Sequence, residues 1–148
     1  MDKIKLKGTG RAILRYDDGR VETIEQPNMI VTSGFNFLIS SLIKTGADRP
    51  NPMSHVAIGS GSTASTASMT ALVTETNRGA GTWTWTAGNK KFTISTTFPK
   101  GSVTALITEG GVFNAASGGT MLDRLVFSTP IQGSADLTYT QEFEFEVL

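Results

Sequence analysis

The sequence predicts a mainly β fold, a β-sandwich or jelly-roll-like domain spanning residues 1–148, with roughly eight or nine strands and one short α-helix at about residues 33–45. Three observations predict it. Runs that alternate apolar and polar residues recur along the chain, as half-buried strands require. Turn signals built on Gly, Asn, Asp and Pro break these runs about every ten residues, the spacing of antiparallel strands in sandwiches and barrels. Only one stretch carries helical periodicity. An open barrel is the rival architecture.

The two ends read as complementary combs. Lys3, Lys5 and Lys7 alternate with Ile4 and Leu6, while Glu142, Glu144 and Glu146 alternate with Phe143, Phe145 and Val147. Each comb has a charged face and an apolar face. Laid side by side, lysines meet glutamates on the wet face, and Ile4 and Leu6 meet phenylalanines in the core. Each cross-strand pair contributes about 0.2–1 kcal/mol and helps fix register. The pairing can be made within one chain or between copies, and the second option makes these six charged residues a candidate subunit contact.

Between the combs, Arg11 to Tyr16 and Arg20 to Gln26 flank Asp17-Asp18-Gly19, a hairpin signal because Asp and Gly tolerate positive φ. Pro27 ends the second strand. Phe35, Leu38, Ile39, Leu42 and Ile43 then fall on one helical stripe, capped by Thr32 or Ser33 and closed by Gly46, and this stripe is expected to cover a sheet. A linker from Ala47 to Pro52 leads to a short strand, His55 to Ile58. The run from Gly59 to Ser68 has no large side chain and reads as a mobile surface loop. Glu75 and Arg78 lie in a polar connection. Thr82 to Ala87 and Lys91 to Phe98 alternate around Gly88-Asn89, with Phe92, Ile94, Thr96 and Phe98 on one face. Val103 to Asn114 is extended, with a bulge or close backbone approach expected at Gly110-Gly111. Thr120 to Phe127 returns, and Leu137 to Val147 is the last strand.

Composition narrows the function classes. Only 18% of residues are charged and the formal net charge is zero, which argues against a dedicated nucleic-acid binder. The charge is uneven, however: residues 1–20 carry six Lys/Arg, and residues 129–148 carry four acids with no Lys or Arg. There is no cysteine, hence no disulfide framework and no thiolate metal site. The N-terminal lysines are not followed by the apolar stretch of a signal peptide, and no apolar run nears the ~20 residues that span a membrane.

Catalytic patterns are weak. His55 is the single histidine, and no Gly-x-Ser-x-Gly elbow accompanies it. Gly59-Ser60-Gly61-Ser62-Thr63 lacks the Gly-Lys-Ser/Thr ending of a phosphate loop. Glu109 and Asp123 sit in neighbouring strands, but Arg124 beside them points to a structural Glu109–Arg124 ion pair, with Glu75–Arg78 a second, rather than to paired acid/base carboxylates. No Asp-rich loop offers a calcium site. The expectation is therefore a non-enzyme without metal or cofactor. Trp83 and Trp85 share one strand face; they read as core or subunit interface, with sugar stacking as the alternative.

Four runs in order resemble a known group. They are Asn28-Met29-Ile30-Val31-Thr32-Ser33-Gly34, Val56 to Thr63, Leu72 to Arg78, and Ile107 to Asn114 with Gly118 to Arg124. Together they resemble small virion structural proteins of tailed bacteriophages, a group labelled variously as capsid-decorating, minor structural or tail-fibre-like. The resemblance implies a β-rich, non-enzymatic module made in the host bacterial cytoplasm and working as an oligomer on the phage particle. It supplies no catalytic residues. Within that group, a compact chain without coiled coil or fibrous repeat fits a capsid decoration or cement protein, a homotrimer bound to the major capsid protein. A tail, collar or baseplate appendage is the alternative, and a carbohydrate-binding module a third reading.

Overall fold

The computed structural model describes residues 3–148. Among the described residues ten strands form two antiparallel sheets, and one α-helix lies against the second. The fold is mainly β and sandwich-like. The first sheet contains β1 (Leu6–Tyr16), β2 (Val21–Pro27), β6 (Thr82–Trp85), β7 (Lys91–Phe98) and β10 (Leu137–Val147), in the order β2-β1-β10-β7-β6. The second contains β3 (Met29–Ile30), β4 (His55–Gly59), β5 (Glu75–Ala80), β8 (Leu106–Phe113) and β9 (Met121–Gln132), in the order β3-β9-β8-β4-β5. Helix α1 spans Thr32–Ile43.

The turns form where the backbone demands it. Gly19 (φ 88°) closes the β1–β2 hairpin and Gly88 (φ 83°) the β6–β7 hairpin, both in the left-handed region that glycine enters without penalty. Glu75–Ala80, expected as a connection, is an edge strand paired with β4. Likewise β9 continues through Pro130 to Gln132; the ladder with β8 shifts register between Ile107 and Glu109, where a proline costs no ladder bond.

The core lies between the sheets. From the first come Leu14, Ile94, Phe98, Tyr139, Phe143 and Phe145; from the second, Val56, Ile58, Val112, Leu125 and Phe127. Phe92, Ile94, Thr96 and Phe98 share the inward face of β7, as the alternation predicts. A smaller cluster of Val31, Ala57, Leu72, Phe113 and Met121 sits on the other face of the second sheet, beneath the 60–74 loop and α1. The second sheet is thus covered on both faces, which is why β8 and β9 carry near-continuous buried runs instead of alternation.

The helix corrects two expectations. Val31 occupies the N-cap, and Thr32 and Ser33 are inside the helix. The Ser33 hydroxyl donates to Met121 O (2.7 Å), tying the helix to β9. At the other end Lys44 is extended, and Gly46 shapes the following turn rather than the cap. The larger correction is orientation. The apolar stripe does not cover the sheet: Phe35, Ile39, Leu42 and Ile43 face outward. The inward side is the small one. A Cβ on Gly34 would stand 2.0 Å from the Leu122 carbonyl oxygen, so helix and strand meet backbone to backbone there. Phe37 and Leu38 flank that contact against the core. Docking the narrow face leaves the bulky one outside.

Candidate functional site

The strongest electrostatic feature is a buried clamp. Glu109 on β8 and Arg124 on β9 are both fully buried. Arg124 Nε donates to Glu109 Oε1 at 3.1 Å. Nη2 lies 3.0 Å from the same oxygen, within ion-pair range but without an aligned hydrogen bond of its own. Glu109 also accepts three backbone N–H groups: Val73 (2.8 Å) at Oε1, and Gly61 (2.7 Å) and Thr74 (2.7 Å) at Oε2. Arg124 Nη1 donates to Thr63 O (2.7 Å) and Ser65 Oγ (3.0 Å), and the Thr108 hydroxyl donates to Gly61 O (2.8 Å). A carboxylate offers about four acceptor sites, and four donors occupy these. The arrangement holds the 60–74 loop down; it leaves no oxygen turned to a substrate. The Gly59–Ser68 run, expected to be mobile, is instead held at Gly61, Thr63 and Ser65, and Ala67 O further accepts the Thr32 N–H (2.8 Å).

Asp123 takes no part in the clamp. Neighbours on a strand point to opposite faces, so Asp123 turns away from Arg124 toward the sandwich interior. It accepts the Val112 N–H (3.0 Å) and a hydrogen bond from Asn28 Nδ2. Burial pushes its carboxyl up to about 8 despite these two donors. Asn28 Oδ1 is buried beside it without a partner. At the far end of the second sheet, Arg78 pairs with Glu75 (2.6 Å), lies 3.9 Å over the Phe113 ring and donates to the carbonyls of Ala115 (2.9 Å) and Gly118 (2.8 Å), bracing the β8–β9 turn.

The combs meet within one chain. β1 and β10 are antiparallel neighbours, with Lys7 opposite Glu146, Thr9 opposite Glu144 and Arg11 opposite Glu142. Lys5 pairs with Leu148 through two backbone hydrogen bonds, and Lys3 lies beyond it, so neither faces Glu144 or Glu142. Arg11 is the cation that closes the face, at 2.8 Å from Glu25 and 2.9 Å from Glu142. The apolar partners differ too: Gly8 and Gly10, not Ile4 and Leu6, lie opposite Phe145 and Phe143. Leu125 and Asn28 fill the space a side chain would take, since a Cβ on Gly10 would sit 1.9 Å from Leu125 Cδ2 and one on Gly8 2.0 Å from Asn28 Oδ1. Ile4 is exposed.

Trp83 and Trp85 differ in burial. Trp83 packs against Phe92 (centroids 5.7 Å apart) and Phe145 (6.2 Å), and its Nε1 donates to Met53 O (2.7 Å). Trp85 is 66% exposed, with Nε1 donating to Asn89 O (3.1 Å). His55 is half-buried, its Nδ1 2.8 Å from the Ser54 hydroxyl.

Sequence reasoning missed two linked surfaces. The outward row of α1 exposes Leu42 by 85% and Ile43 by 69%. Beside it runs an apolar cleft of about 620 Å³, walled by Phe37, Leu38, Pro50, Met53, Trp83 and Phe92, with Arg49 the one charged residue in its lining. A second groove of about 400 Å³ lies at the other end of the row, where Leu6, Pro27, Ile30 and Phe35 meet Lys5 and Lys7. The signal for the exposed row was present: α1 contains no charged residue, and its exposed side chains are the apolar Phe35, Ile39, Leu42 and Ile43 with only Thr32 and Asn36 polar among them. Among the described residues no group of three or more His, Cys, Asp or Glu is placed to hold a metal ion, and no helix is long and apolar enough to cross a membrane. Compared with known proteins, the chain matches no family model, no curated protein and no solved structure.

Proposed function

We propose that this chain is a non-enzymatic structural protein of a tailed-bacteriophage particle, a decoration or cement protein that binds the outer capsid as a homotrimer and stabilises it. The observation that carries the reading is how the four resembling runs meet in space. Asn28 of the first bonds to Asp123 of the last. Gly61 and Thr63 of the second, and Val73 and Thr74 of the third, are held by Glu109 and Arg124 of the fourth. Residues far apart in sequence therefore form one unit, the second sheet with its covering loop, and the runs that carry the resemblance meet in it. The polar chemistry of that unit is directed inward, to shaping the loop, which suits a rigid assembly part.

Imaging of labelled protein on phage particles tests the proposal. Copies at the icosahedral symmetry positions of expanded capsids, and particles that lose pressure resistance without the protein, are the expected results. Labels at a single vertex overturn decoration in favour of a tail, collar or baseplate appendage. Quenching of the exposed Trp85 by glycans, with no binding to particles, overturns both in favour of a sugar-binding module.

A further inference from the structure

We propose that copies of this chain assemble through helix α1, the outward row of one copy seating in the apolar cleft beside α1 of the next. Phe35, Ile39, Leu42 and Ile43 fall at i, i+4, i+7 and i+8 and form one ridge about 12–15 Å long. The cleft begins on the adjoining side of the same helix, at Leu38 and Phe37, and ends at Trp83 and Phe92. A ridge and a cleft on one surface are self-complementary: packing ridges into grooves is how helices meet apolar surfaces. Mutual exchange of ridge and cleft makes a two-fold pair, and repeating the contact in one direction makes a ring where the rotation closes.

Three observations favour a second copy over another occupant. First, the ridge is neutral from Thr32 to Ile43, so seating it in a cleft whose one charged lining residue is the exposed Arg49 brings no second charge into the contact. Second, the ridge is a large apolar face to leave in water: Leu42 is 85% and Ile43 69% exposed, and the apolar cleft of about 620 Å³ adjoins them, whereas monomers seldom expose contiguous apolar patches beyond a few hundred Å². Third, the fold docks the helix by its other side, through Gly34, Ser33, Phe37 and Leu38, and leaves Leu42 and Ile43 almost wholly to solvent. The inference deepens the assembly reading above, resting on it for the identity of the occupant, and it displaces the terminal combs as the contact, because β10 is paired on both edges within its own chain.

The test uses the full chain with Trp85→Phe, which leaves Trp83 in the cleft as the only tryptophan. Mass is measured by light scattering across a dilution series while Trp83 emission is followed. The expected result is an oligomer whose dissociation shifts Trp83 emission to the red. Leu42→Glu and Ile39→Glu, at exposed positions, are each expected to weaken association at least tenfold while leaving the circular dichroism spectrum and thermal midpoint unchanged. A chain that is monomeric at all concentrations overturns the proposal, as do oligomers that ignore both variants or dissociate without any change at Trp83. Monomers that bind phage capsids through the same row overturn it too, and leave the capsid reading standing. Oligomers that form through α1 but never bind particles support it while the capsid reading falls.

Discussion

Glu109 and Arg124 face each other across β8 and β9 with no exposure to solvent, and both grip a single loop, Glu109 through the N–H groups of Gly61, Val73 and Thr74 and Arg124 through Thr63 O and the Ser65 hydroxyl. Removing one partner leaves the other charged and buried, which costs about 3–5 kcal/mol. Glu109→Gln and Arg124→Met are each expected to lose stability on that scale in urea unfolding. The double variant loses less than the sum, because no unpaired charge remains. In all three, proteolysis within residues 60–74 accelerates, because the N–H groups of Gly61, Val73 and Thr74 lose their shared acceptor or its anchor. A double variant as loop-protected as the wild type sinks the account.

Asp123 sets a pH dependence of definite sign. Its carboxyl rises from an ordinary 3.8 to about 8 in the folded protein. Between those values the native state keeps a proton that the unfolded chain has released, so stability falls as pH rises through this window and is level outside it. Asp123→Asn removes the slope, because the amide cannot titrate. Urea midpoints measured from pH 4 to pH 9 check this, and an unchanged slope in the variant assigns the effect elsewhere.

Two glycines separate close approach to backbone from close approach to side chain. At Gly34 an added methyl group meets the Leu122 carbonyl, which is fixed in the sheet; at Gly10 it meets the end of the Leu125 side chain, which can turn. Overpacking costs about 1–3 kcal/mol. Gly34→Ala is expected at or above the top of that range, with α1 displaced, and Gly10→Ala at the lower end. The reverse order in thermal melts contradicts the docking described for the helix.

The charged face between the first and last strands carries its coupling at Arg11. A double-mutant cycle on Arg11 and Glu142, both about one-quarter exposed, is expected to give a coupling of about 0.3–1 kcal/mol. The same cycle on Lys5 and Glu144 gives none, because Thr9 stands opposite Glu144. Coupling at Lys5 and none at Arg11 means that the register is wrong by two or more residues.

Much of the fold was legible because period-two alternation and glycine turns are local signals. β7 and β10 have the bounds that their alternation gives. What escaped depends on partners distant in sequence. A helical stripe identifies an apolar face but not the direction it looks, and at α1 a single glycine reversed the outcome. A slide of two residues keeps every side chain on its face while changing every partner, so the combs fixed faces without fixing pairs. β5 was hidden because an edge strand need not bury its side chains. The ion pair was readable in outline, since two charges on neighbouring buried strands need each other. The loop that they grip was not, because its anchors are backbone atoms with no side-chain signature.

That last point has a practical side. The clamp grips the 60–74 loop by main-chain groups that nearly every residue type possesses. Side chains such as Ser62, Ala64, Thr66, Ser68, Thr70 and Ala71 stand in solvent between the anchor points. The protein thus separates the shape of this segment from its spelling. New residues can therefore be written at these positions without loosening the sheet beneath.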